Sequence, residues 1–134
     1  NIQDLLDRLF KVLGAKDHVV LQGETVGPQI QGNKYKLDER KFYAFNLIVD
    51  GVKLDSFESQ TIINKEQTVD TPFEWVPLLD THFLLPDTID ELVLLANGDS
   101  VLYPTLREGF VLRDYNSKVS FKVISPEFLL KHKL

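Results

Sequence analysis

In the stretch REGFVLRDYNSKVSFKV, Arg107 to Val123, two apolar-rich segments flank the pentapeptide DYNSK, and the reading of that stretch decides the fold. Asp114, Asn116 and Ser117 suit a turn, because short polar side chains bond their own backbone. In the second segment Val119, Phe121 and Val123 alternate with Lys118, Ser120 and Lys122. One face of this strand therefore seeks a core, and the other presents two ammonium groups and a hydroxyl. Glu108 and Gly109 open the first segment and Arg113 closes it. Alone, this pattern is a half-buried hairpin with a solvated charged face. If Arg113 pairs with Lys118, Lys122 falls opposite Gly109 and beside Glu108.

Working outward, Ile2, Leu5, Leu6, Leu9, Phe10 and Leu13 follow helical spacing, and Gly14 is placed to end that helix. His18 to Val26 reads as a strand broken at Gly23, followed by a glycine-punctuated loop. Phe42 to Val49 reads as a strong strand that turns at Asp50-Gly51. A short helix is predicted from Glu58 to Gln67, then an apolar extended piece around Trp75. Asp87 is placed to cap a helix running to Asn97, with Gly98 ending it. Ser125 and Pro126 open a last helix. This order predicts an α+β fold with mainly antiparallel sheet, in one domain spanning residues 1–134.

Composition narrows the function. With 43% hydrophobic residues and nine Phe, the 134-residue chain can bury a core. It has no cysteine, which removes disulfides, thiolate metal sites and a cysteine nucleophile, and which fits a cytoplasmic protein. No apolar run reaches the roughly 18 residues of a membrane span, so no membrane partner is expected. The net charge of −5 argues against general coating of nucleic acid. The charge is uneven: residues 1–104 hold 9 Lys+Arg against 17 Asp+Glu, and residues 105–134 hold 6 against 3. A basic last quarter can face phosphates locally.

His18, His82 and His132 show no metal-ligand spacing, and neither a serine nucleophile elbow nor a long phosphate-cradling glycine loop is present. What remains is a set of polar groups embedded in apolar strands: Glu24, Glu108 and Lys122, with the aromatics Phe42 and Phe45. A carboxylate inside a strand is costly unless solvated or paired. Here each of the two follows or precedes a glycine that lets a ligand approach closely. Phe42 and Phe45 also serve as core aromatics, and alternation puts them on opposite faces. Asn33, Lys34, Arg40 and Lys41 read as a charged surface loop.

Four segments, LQGETVGPQIQGNKY (Leu21–Tyr35), FYAFNLIVDG (Phe42–Gly51), REGFVLRD (Arg107–Asp114) and SFKVISPEFLLK (Ser120–Lys131), resemble the later motifs of ATP-dependent RNA ligases. These belong to the covalent nucleotidyltransferases, with DNA ligases and capping enzymes, whose catalytic domain is an ATP-grasp-like α+β fold. GPxIQGNxY and Val76-Pro77 resemble the RNA-repair and RNA-editing type.

The resemblance implies adenylyl transfer from ATP to a lysine, with AMP as the covalent intermediate, then to an RNA 5′-phosphate, and sealing of RNA ends by a 3′-hydroxyl. It implies magnesium as cofactor, with Glu108 orienting nucleotide and hydrated metal. Lys122 and Glu108 are the implied catalytic pair. Glu24 would hold the ribose, Phe42 would stack on adenine, and Arg113, Ser120 and Lys122 would meet phosphates. Two positions depart from the pattern: Ser120 stands where the fifth motif usually has lysine, and Asn46 where Asp is common.

The nucleophilic lysine of the first motif belongs well upstream of Glu24. The local candidate KVLG (Lys11–Gly14) ends an amphipathic helix, with Gly14 only nine positions before Gly23. We therefore expect the chain to be the C-terminal part of the domain, incomplete at its N-terminus and unable by itself to self-adenylate. A non-catalytic nucleotide- or RNA-end-binding module, and a DNA ligase or capping enzyme, are the alternatives.

Overall fold

The structure, a computed structural model, describes residues 2–68, 73–102, 105–114 and 118–134. Asn116 and Ser117, assigned to the hairpin turn, lie outside the described residues. Helix α1 (Ile2–Val12) forms as its spacing predicts, with Leu5 and Leu9 fully buried. Gly14 follows at φ +64°, a left-handed conformation that glycine adopts without strain.

Strands β1 (Val19–Val26) and β2 (Lys41–Val49) pair antiparallel from Val19↔Val49 to Val26↔Lys41. The register slips once: Gln22 pairs with Asn46, yet Gly23 pairs with Ala44. Phe45 is thus an extra residue on β2, a bulge that resets the alternation of that strand. Ala44 before the bulge and Leu47 after it both enter the core with Leu5, Leu9, Ile63 and Trp75, and Phe42 packs against the same cluster. The opposite face carries Gln22, Glu24 and Val26 from β1 beside Asn46, Tyr43 and Lys41 from β2.

A tight turn at Asp50 (φ +49°) and Gly51 (φ +82°) leads to β3 (Val52–Lys53), as the Asp-Gly pair predicts. Helix α2 (Ser56–Glu66) begins earlier than expected because Asp55 caps it, accepting the Glu58 N–H at 2.8 Å. Strand β4 (Phe73–Trp75) then pairs with β2 in parallel, so the first sheet is not purely antiparallel. Helix α2 lies in the connection between them, the kind of crossover a parallel pair requires.

Helix α3 (Ile89–Ala96) is capped by Thr88, which accepts the Glu91 N–H at 3.2 Å, and not by Asp87. Its C-terminus is held by Arg107, which donates to the carbonyls of Ala96 (3.0 Å), Leu95 (2.6 Å) and Asn97 (3.0 Å). A cation at that end also meets the negative pole of the helix dipole. The hairpin of β5 (Gly109–Arg113) and β6 (Ser120–Ile124) forms a separate sheet. Helix α4 (Pro126–His132) follows, with Ser125 as its cap. Among the described residues no helix is long and apolar enough to cross a membrane.

The Asp50 carboxylate fastens the entry of β1 to the β2–β3 turn. It accepts the backbone N–H groups of Lys16 (2.9 Å), Asp17 (2.7 Å) and His18 (3.0 Å). These bonds, the one from Lys16 foremost, hold its pKa below the usual carboxylate value. A carboxylate depressed in the folded state stabilises above its unfolded pKa of about 3.9, and the stabilisation is lost as pH falls through the folded value. Asp50→Asn, which tolerates the same left-handed backbone, should lower Tm near neutral pH, with the gap closing below about pH 4. A gap of constant size across that range would contradict the assignment.

Candidate active site

The hairpin register decides whether its polar groups converge. The structure pairs Arg113 with Ser120, Val111 with Lys122 and Gly109 with Ile124. The pairing of Arg113 with Lys118 expected from the sequence is therefore off by two residues. A two-residue shift preserves the faces, because side chains alternate with period two. Gly109, Val111, Arg113, Ser120, Lys122 and Ile124 still share one face. Glu108, just before β5, reaches along that face, and its Oε1 accepts a hydrogen bond from Lys122 Nζ in an ion pair.

Gly109 makes this possible. Its φ is +154°, and a Cβ there would lie 1.9 Å from the Val123 carbonyl oxygen. Only glycine lets β5 approach β6 this closely while turning Glu108 toward Lys122. Glu108 is anchored on both sides of its backbone. Its N–H donates to the Tyr35 hydroxyl at 3.1 Å, and its carbonyl accepts the Ser125 N–H at 2.7 Å.

Arg113 ties the two sheets together. Its Nη1 donates to the Phe45 carbonyl (2.9 Å), Asn46 Oδ1 (2.8 Å) and Ser56 Oγ (3.1 Å). Burial pulls its pKa below the ordinary guanidinium value, though such a group stays charged. The structure thus gives Arg113 the role of a clamp between β5, β2 and α2, where the resemblance implied a phosphate contact. Asn46 uses both ends of its amide, since its Nδ2 also donates to Gln22 Oε1 at 2.9 Å. An aspartate could accept from Arg113 but could not donate to Gln22.

The end of β1, the loop that follows it and Glu108 enclose a small cleft of about 60 Å³, lined by Glu24, Val26, Gly27, Ile30, Gln31, Lys34, Tyr35 and Glu108. Small-molecule pockets occupy roughly 300–1,000 Å³, so this cleft is too small to enclose a nucleotide. Glu24, Tyr35 and Glu108 line the same cleft, and Lys122 joins them through its ion pair with Glu108. Burial is the main cause that raises the Tyr35 pKa, so the hydroxyl stays neutral.

Of the residues singled out from sequence, Glu24 and Glu108 line one cleft and Lys122 pairs with Glu108. Phe42 does not line that cleft: it packs against the core cluster, where a Cβ on Gly23 would come within 2.4 Å of its ring. The bulge at Phe45 is the reason, because it turns Phe42 to the same side as Leu47. Ser120 is exposed at the start of β6, across from Arg113. Lys11 lies in the last turn of α1, a helix packed on the face of the sheet opposite Glu24. Tyr35 and Lys34 were missed as site residues. Lys34 had been read as part of a charged loop, yet it lines the cleft with its ammonium 5.6 Å from the Phe128 ring centroid. The signal for Tyr35 was an aromatic ending the loop pattern GPxIQGNxY.

The RNA ligase family model matches residues 1–124. The chain belongs to the RNA ligase family. Solved structures of a Naegleria gruberi RNA ligase share its fold. A variant with AMP and Mn superposes with a TM-score of 0.82 at 30% identity, covering 98% of this chain and 39% of that one. A variant with ATP and Mn gives 0.81 at 31% identity over the same shares. The structure with PPi gives 0.78 at 30% identity, again over 98% and 39%. This RNA ligase chain thus spans about two fifths of the length of that protein. No similar curated protein is found.

Gly109→Ala should cost more than about 2 kcal/mol in urea unfolding, through the clash with the Val123 carbonyl. Gly32→Ala is the control, at φ +75° with nothing within 4 Å, and should cost only about 1 kcal/mol of backbone strain. Equal losses at the two positions would deny the close approach of β5 and β6.

Proposed function

We propose that this chain supplies the nucleotide-holding sheets of an ATP-dependent RNA ligase. In this reading, residues 1–134 are the C-terminal portion of one adenylyltransferase domain. The observation that carries it is that Glu24, on the first sheet, lines one cleft with Glu108, which pairs with Lys122 of the second sheet, in a member of the RNA ligase family. The ATP, AMP and PPi named for the Naegleria ligase are the substrate and products that adenylyl transfer requires.

In the first step a lysine amine, placed upstream of Glu24, attacks the α-phosphorus of ATP. A P–N bond forms, the P–O bond to pyrophosphate breaks, and the amine proton leaves. An RNA 5′-phosphate oxygen then takes the AMP from the lysine, and a 3′-hydroxyl displaces AMP to seal the strand. Lys122 sits where it can hold the α-phosphate and offset the charge that gathers on its oxygens. Glu24 accepts from the ribose hydroxyls. The Glu108–Lys122 pair is well suited to exchange partners: the side chains are 39% and 49% exposed, and such a pair contributes about 0–1 kcal/mol. A phosphate can therefore replace Glu108 on Lys122 at little cost.

Among the described residues no group of three or more His, Asp and Glu side chains could hold a metal. Magnesium takes one or two carboxylates and completes its shell with waters and phosphate oxygens. Glu108 is the residue that would hold it, and the ion would supply charge neutralisation at the phosphates. Cytoplasmic RNA repair is the setting we propose for the activity.

The test is intact mass of the protein that carries this chain after incubation with ATP and magnesium. A covalent AMP adduct is expected, and Lys122→Ala or Glu108→Ala should abolish it while circular dichroism stays unchanged. An adduct that persists in both variants removes the assigned roles, and its absence from the wild type favours a binding module. Nicked RNA should be sealed in preference to nicked DNA.

A further inference from the structure

We propose that Tyr35 is a positioning residue for adenylyl transfer, acting through the backbone of Glu108; this rests on the ligase reading above. The contact joins two parts of the chain 73 positions apart, the loop between β1 and β2 and the start of β5. With its N–H held by Tyr35 and its carbonyl by Ser125, Glu108 can move only about its own side-chain torsions. Those torsions carry the carboxylate between Lys122 and whatever enters the cleft. Removing the hydroxyl frees one of the two anchors and leaves an N–H without its partner.

The loop is built to hold Tyr35 still. Gln29, Gln31, Asn33 and Lys36 have φ of +67°, +45°, +49° and +52°, a conformation costly for non-glycine residues that the surroundings must enforce. Asn33 does so on both sides of its amide, donating to the Leu37 carbonyl (2.9 Å) and accepting the Leu37 N–H (3.0 Å). Strain spent on a loop whose aromatic tip touches one backbone amide of the site is spent on position. The neutral hydroxyl, half-buried among Glu24, Glu108 and Lys122, accepts that amide throughout the working pH range.

The experiment compares the wild-type protein that carries this chain with its Tyr35→Phe variant, which keeps the ring and its packing. Two readouts are taken: amide hydrogen exchange at Glu108, and the rate of AMP-adduct formation as a function of ATP. Exchange at Glu108 should quicken about tenfold while neighbouring strand amides keep theirs. The limiting rate should fall roughly 10–100-fold, as for a misplaced catalytic group, with KM for ATP within about threefold of wild type. Unchanged exchange at Glu108 overturns the contact. Faster exchange with an unchanged limiting rate overturns the positioning role and leaves only a structural one. A wild type that forms no adduct overturns the ligase reading and the catalytic role with it, while the exchange result still reports the contact.

Discussion

One guanidinium bridges the two sheets. Arg113 extends from β5 to a carbonyl exposed by the bulge at Phe45, and to the side chains of Asn46 and Ser56. A partly desolvated cation must be hydrogen-bonded, and each such bond contributes about 1.5–3 kcal/mol. The bulge and the clamp depend on each other: the extra residue that interrupts the β1–β2 ladder opens the carbonyl that Arg113 needs. Together they join β2, which carries the partner of Glu24, to β5, which follows directly on Glu108.

Charge follows the same arrangement. The chain is acidic overall, yet its basic last quarter supplies β6 and the loop around it. Lys122 is held by a partner too exposed to bind it tightly, so the pair keeps the cleft ordered without closing it to an anion. Lys34 lines the cleft with its ammonium over the Phe128 ring.

Much of this was legible in the sequence, and the exceptions share a cause. The hairpin residues keep the faces expected of them although the register was two residues off, because period-two alternation survives an even shift, yet the face expected to seek a core buries only Val123, with Phe121 45% and Val119 62% exposed. Phe42 was assigned to the nucleotide and lies in the core, since nothing local announces a bulge three residues along. The parallel pairing of β4 depends on a crossover, which no strand pattern encodes. Tyr35 meets Glu108 across 73 positions, a purely tertiary contact. Caps, by contrast, were local and were found to within a residue at Ser125 and Thr88.

The most direct measurement is a crystal structure of the protein that carries this chain, bound to ATP and magnesium. The account requires the nucleotide to lie between the sheets, with Glu24 on its ribose and the Lys122 ammonium on its phosphates in place of Glu108. A triphosphate bound against another surface, with residue 122 still turned to its carboxylate partner and the cleft vacant, would contradict it.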